Sequence, residues 1–124
     1  MNRNHAETAI EQIKTKLQTL GAMRPGSLGQ QYSKCGRAGC RCQDPEAPER
    51  HGPYYQLSYV HRGKSTSQFI PKELVDTAKE QLATYKRFKA LTSRWLDLAL
   101  ALARDQLDRD RKRLKDSRSD EPID

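Results

Sequence analysis

Apolar residues recur every three or four positions towards both ends of the chain and alternate with polar ones in the middle. At the N-terminal end Ala6, Ile10, Ile13, Leu17 and Leu20 fall on one side of a helix. Asn4, with Glu7 three residues on, suits its start, and Gly21 suits its stop. The pattern predicts an amphipathic helix within residues 1–22. From residue 23 to 71 the period changes. Pro25-Gly26 marks a turn, and "LGQQYS" at 28–33 reads as a short strand. After a cysteine-bearing loop, Tyr55, Leu57 and Tyr59 alternate on one face, Arg62-Gly63 punctuates, and a Ser/Thr run ends in Phe69 and Ile70. That is the pattern of a β-hairpin.

A second helical pattern follows. Pro71 suits a first helical position, where its missing amide donor would be unpaired anyway, and Glu73 and Asp76 favour the positive end of a helix dipole. Val75, Ala78, Leu82 and Tyr85 form one stripe, and Phe88, Leu91, Trp95, Leu98 and Leu102 continue with heptad spacing. A long helix is therefore predicted over 72–115, with Thr92-Ser93 as a potential break. Asp105 with Arg109, and Asp108 with Lys112, extend it as a solvated helix. Residues 116–124 are expected to be a disordered tail. The stretch "WLDLALALA" is apolar on nearly every side, more than the first helix can cover, so a homodimer through Phe88, Leu91, Trp95, Leu98 and Leu102 is expected.

Composition limits what such a chain can be. At 124 residues it has the size of one domain, and a 35% hydrophobic share leaves a small core that needs a supplement. The polar start "MNRNHAETAIEQIK" lacks the apolar region of a signal peptide, and no apolar run approaches the ~18 residues of a membrane span. A soluble, cytoplasmic protein with no membrane partner is expected. Three cysteines cannot form a complete disulfide framework. In a reducing compartment, clustered thiols point to metal instead.

All three cysteines lie in one loop, "KCGRAGCRCQDPEAPERHGPYY", in a Cys-x4-Cys-x-Cys pattern, with His51 downstream. Cys35, Cys40, Cys42 and His51 form a complete Cys3His set for tetrahedral Zn2+, closed and therefore structural. Gly36 and Gly39 permit the tight turn, Arg37 and Arg41 offset the thiolate charge, and Pro45 and Pro48 stiffen the return to His51. Packed free thiols, or a [2Fe–2S] centre, are the competing readings. His61 is the reserve for the fourth ligand. Metal binding would supply folding free energy, with the loop pinning three strands at one end. The expected fold class is α+β: a short N-terminal helix, a zinc-pinned β-hairpin with 28–33 as a candidate third strand, and a long C-terminal helix.

The net charge of +7 is unevenly placed. Arg24, Lys34, Arg37, Arg41, Arg50, Arg62 and Lys64 face only Asp44, Glu46 and Glu49 over residues 24–64, whereas beyond residue 103 acids and bases balance. A compact basic surface is the footprint of a polyanion binder. The hairpin has Arg62 and Lys64 at its tip and Ser65, Thr66, Ser67 and Gln68 along one strand, and Arg37 and Arg41 would flank it. A two-stranded ribbon of this kind fits the DNA major groove.

"MRPGSL", "QYSKCGRAGCRC", "HGPYYQLSY", "RGKSTSQFIPKE" and "YKRFKAL", in that order, resemble a small uncharacterised family of bacterial and archaeal proteins often encoded beside transposases and recombinases of mobile elements. The resemblance covers about residues 23–95 and makes Cys35, Cys40, Cys42 and His51 the matching positions. It implies an accessory role in DNA mobility. Members often have Asn where this chain has Gly39, which concerns the turn and not the ligands. The strand, "RGK", polar strand and helix are also similar to the small arm-binding domains of tyrosine recombinases.

No phosphate loop occurs, and no nucleophile–base set stands apart from the cysteines, so the chain is not expected to be an enzyme. A thiol-redox role is the best enzymatic alternative. The expectation is a zinc-stabilised DNA-binding accessory protein assisting a transposase or recombinase. The alternative is a zinc-stabilised protein–protein interaction module that docks through its long helix.

Overall fold

The fold is α+β, and the computed structural model describes residues 2–33, 39–46 and 49–119, apart from the side chains of Cys42 and Ser119. Helix α1 spans Arg3–Gln18, strands β1, β2 and β3 span Ser27–Ser33, His51–His61 and Lys64–Ile70, and helix α2 spans Val75–Ser119. The strands form one antiparallel sheet in the order β1-β2-β3, so the candidate strand at 28–33 is a third strand beside the hairpin. Two compact units are distinguishable, Met1–Leu20 with Arg87–Asp124, and Gly21–Lys86. Residues of α2 therefore belong to both.

In the sheet-bearing unit, Leu57 lies at the centre of the middle strand and is 2% exposed. Tyr55 and Tyr59 share its face, as do their cross-strand partners Ile70 and Thr66. Val75 and Ala78 of α2 are the other buried apolar residues among the described residues of this unit. Full burial of a leucine is worth about 1.5–3 kcal/mol, so this small cluster matters for a chain with few such groups. Arg24 ties the segment ahead of β1 to α2: its Nε donates to Gln81 Oε1 at 2.8 Å and its amide to the Gln81 carbonyl at 3.2 Å.

In the helical unit, Ala6, Ile10 and Ile13 form the buried stripe of α1, as their spacing predicts. Its cap is Asn2 and not Asn4. The Asn2 side-chain oxygen accepts from the His5 amide at 3.2 Å, which leaves Asn4 inside the helix and Glu7 to pair with Arg3 at 3.3 Å. The helix stops at Gln18, before Gly21, because Thr19 folds back and its hydroxyl donates to the Lys16 carbonyl at 2.7 Å.

The start, interior and end of α2 each depart from the sequence reading. Pro71 has an extended backbone and opens a short 3-10 turn, Lys72–Leu74, so α2 begins at Val75. Thr92 does not break the helix. Its hydroxyl donates to the Phe88 carbonyl at 2.9 Å, a back-bond a helical threonine makes without leaving the helix. The far end runs through Lys115 to Ser119, so residues 116–119, expected in the tail, are helical, while 120–124 lie outside the described residues. The Asp105–Arg109 pair is present at 3.1 Å. Among the described residues, no helix is long and apolar enough to cross a membrane.

Candidate metal centre and nucleic-acid interface

The cysteine loop leaves the sheet at the end of β1 and re-enters it at the start of β2. Gln31 pairs with Tyr54 and Ser33 with His51, so β2 takes one residue more than β1 over the same length. That extra residue is a β-bulge at Gly52-Pro53, where proline has no amide to give to the ladder. Gly52 has φ 139°, and a Cβ there would stand 2.8 Å from the Gln31 carbonyl oxygen and 3.0 Å from Tyr32 Cδ1. Only glycine fits. Bulges re-aim the side chains beside them, and His51 lies immediately before this one.

The His51 ring meets the loop there. Its Nε2 lies 3.2 Å from Cys40 Sγ, and both residues are half-buried. Two ligands of one tetrahedral zinc, at ordinary Zn–S and Zn–N lengths, stand roughly 3.6 Å apart. The observed approach is close to that edge and also suits a thiol–imidazole hydrogen bond, so thiol and imidazole fit the metal in kind and in spacing. Cys42 lies in the 3-10 turn Arg41–Gln43 that follows Cys40, where the Gln43 amide donates to the Cys40 carbonyl at 3.0 Å. Cys35 and Arg37 lie outside the described residues, as does the side chain of Cys42. Among the described residues no three metal-ligating side chains gather. The loop joins β1 to β2 only: β3 ends at Ile70 opposite Tyr55, short of His51, so the expectation that it pins all three strands is corrected.

The basic residues divide between the two ends of β2. Arg41 belongs to the loop, where it makes an exposed ion pair with Glu49 at 3.7 Å. Pairs of that kind contribute little and leave the guanidinium available. Arg62 and Lys64 lie at the opposite end, at the β2–β3 turn, so Arg41 does not flank the hairpin tip. Arg62 has φ 52° and Gly63 φ 75°, a two-residue turn with both centres left-handed. Asparagine or glycine is the usual occupant of the first position, and arginine there is under strain.

The sheet has two unlike faces. On one, Leu57 and its neighbours meet buried apolar groups. Gln68 pairs with Leu57 and lies on that side, away from Ser65 and Ser67. The other face is open. It holds Gln31, Tyr54, Gln56, Ser58, Val60, Ser65, Ser67 and Phe69, all exposed or half-exposed. Gln31 Nε2 donates to Gln56 Oε1 at 2.7 Å, the Ser58 and Ser67 hydroxyls lie 3.3 Å apart, and the Tyr54 and Phe69 rings meet edge to face with centroids 6.4 Å apart. None of the three strands contains an aspartate or a glutamate. Sequence reasoning missed Gln31, Tyr54, Gln56, Ser58 and Phe69. Their signal is the second phase of the same alternation that picked out Leu57.

The five α2 residues expected to pair with a second copy are all half-buried, and three of them lie beside α1. Leu91 shares a shallow cleft with Lys16, Thr19 and Leu20, and Leu98 shares another with His5, Ala6 and Ala9. The Lys14 ammonium stands 5.5 Å from the centre of the Trp95 ring, a cation–π arrangement. Phe88 and Leu102 complete the same stripe.

A family model described as a domain of unknown function, DUF6788, matches residues 5–80. No curated protein and no solved structure matches the chain.

Proposed function

The chain belongs to the DUF6788 family, and we propose that it is a zinc-stabilised DNA-binding accessory protein that assists a transposase or recombinase. The observation that carries the DNA-binding part is the open face of the sheet. Hydrogen-bonding side chains are paired across it, no carboxylate stands on any of its strands, and arginines lie at both ends of β2. Phosphates would meet Arg41 at one end and Arg62 and Lys64 at the other, and glutamine and serine side chains between them would meet base edges. Strained backbone often marks a working position, and Arg62 keeps its charge at the tip despite an unfavourable φ.

Zinc has the structural part in this reading. Cys35, Cys40, Cys42 and His51 would hold it, and the closed set leaves no position for a reacting water. It would supply the loop with folding free energy and hold the end of the sheet where β2 bulges. The transposase or recombinase partner rests on the sequence resemblance alone.

The test is a salt-titrated anisotropy measurement on the full chain with random duplex and random single-stranded DNA. The expected slope of log affinity against log salt is roughly −3 to −4, for about four neutralised phosphates. Arg62→Ala with Lys64→Ala should flatten it by about two. Unchanged affinity in the double variant would favour the second reading, a zinc-stabilised interaction module docking through α2. That reading has support of its own in leucines that α2 leaves exposed.

A further inference from the structure

The leucines α2 exposes are not the ones beside α1. Leu96, Leu100, Leu107 and Leu114 are 66%, 49%, 53% and 61% exposed. At 100° per residue they fall within a narrow stripe, with Leu100, Leu107 and Leu114 one heptad apart and Ala103 between them. The stripe is about 27 Å long, nearly three heptads. Trp95 lies roughly a third of a turn around the helix from it, and Leu98 nearly half a turn.

The charges beside the stripe say what it fits. Arg104, Arg111 and Arg118 border one side and Arg113 the other, all exposed. Asp97 borders it near one end. Asp110 lies within it, held by Gln106 at 3.1 Å and by Arg113 at 3.7 Å. The other acids of this part of α2, Asp105, Asp108 and Asp116, lie off the stripe, and Asp105 is paired with Arg109. A second copy would set arginine against arginine in either orientation, Arg113 beside Arg118 in a parallel pair and Arg104 beside Arg111 in an antiparallel one. A helix with glutamates in those flanking positions would be complementary to Arg104, Arg111, Arg113 and Arg118, with Asp97 at one end the exception.

We propose that this stripe is a docking seam for an acidic amphipathic helix of another protein, with leucines in its core positions and carboxylates at its edges. The inference rests on α2 being a docking element, the second reading above, and is independent of zinc and of the sheet face. It gives the partner its chemistry: the seam discriminates by the sign of charge at the flanks as well as by apolar burial.

The experiment uses the full chain and two designed helical peptides with leucine at both core positions, one with glutamate at every flanking position and one with lysine. Fluorescence anisotropy should show binding to the glutamate peptide at least tenfold tighter than to the lysine peptide, and Leu107→Gln should reduce it at least tenfold with the helix content unchanged. Arg104→Glu with Arg111→Glu, both exposed, should reverse the preference. Equal binding of both peptides would overturn the inference and leave docking through α2 standing. Binding of neither would overturn both. A dimer by sedimentation that Leu107→Gln dissolves would overturn it by making the occupant a second copy.

Discussion

The two ends of β2 are built on different principles. At the Arg62 end, conformation is written locally: two residues turn the chain, the strands pair on either side without interruption, and the only unusual feature is an arginine in a left-handed position. At the His51 end little is local. A bulge offsets the register, Gly52 must admit a carbonyl where a side chain would stand, and His51 is directed at Cys40, a residue of a loop with no regular structure apart from a 3-10 turn among its described residues. A turn of the first kind is stable because its residues prefer it. A connection of the second kind gains from something that holds it from outside, and on the proposed reading zinc would be that agent. The lesson is that similar hairpin ends can differ in where their stability resides, in the chain or in what the chain binds.

The largest effect expected from this difference comes with the metal. Purified protein should hold about one zinc per chain by elemental analysis, and Cys40→Ser should lower zinc content and stability together, because zinc binding can amount to about 10 kcal/mol or more in small domains. Removal of the metal by a chelator should leave the Arg62 turn as the last part of the sheet to lose amide protection. A folded, monodisperse protein without metal would break the comparison. Smaller, and independent of metal, is Gly52→Ala. Its Cβ has no room and its φ is unsuitable, so a loss of about 2–3 kcal/mol is expected in denaturant midpoints. The smallest effect belongs to the other end and has the opposite sign. Arg62→Asn should relieve the strained position and raise stability by about 0.5–1 kcal/mol, while weakening DNA binding. Coupled gain and loss in one variant would separate a functional charge from a structural one, and a variant that neither gains stability nor loses affinity would remove the argument from strain.

How much of this was legible in the sequence follows the same division. The hairpin was readable, because Arg62-Gly63 sits between strands that alternate cleanly and Leu57 falls where the alternation places it. The buried stripe of α1 was readable from Ala6, Ile10 and Ile13. The bulge was not. "HGPY" announces a turn-like irregularity, but that Gly52 must make room for the Gln31 carbonyl is a contact between segments distant in sequence. The open face of the sheet was overlooked for a simpler reason: Tyr54, Gln56 and Ser58 are the polar phase of an alternation read for its apolar phase. Gln68, read with Ser65 and Ser67, belongs to the other side because strand periodicity alternates faces. In α2, periodicity located a stripe but not its neighbour. Phe88 to Leu102 carried the strongest heptad signal, yet part of it faces α1, whereas Leu100, Leu107 and Leu114 repeat at the same interval among charged residues that masked them. Asn4, with Glu7 three residues on, reads as the cap by residue type and spacing, and the Asn2–His5 hydrogen bond puts the cap two residues earlier.

The length of β2 sets a measure on any nucleic acid laid along it. From His51 to His61 the strand rises about 33 Å, and one turn of B-form duplex is about 34 Å. Arg41 and Arg50 at one end and Arg62 and Lys64 at the other therefore stand about one helical repeat apart. If the proposed DNA binding holds, a fragment of about ten base pairs would span both groups and a much shorter one would engage only one of them, so the strand would act as a ruler for the smallest fully occupied site.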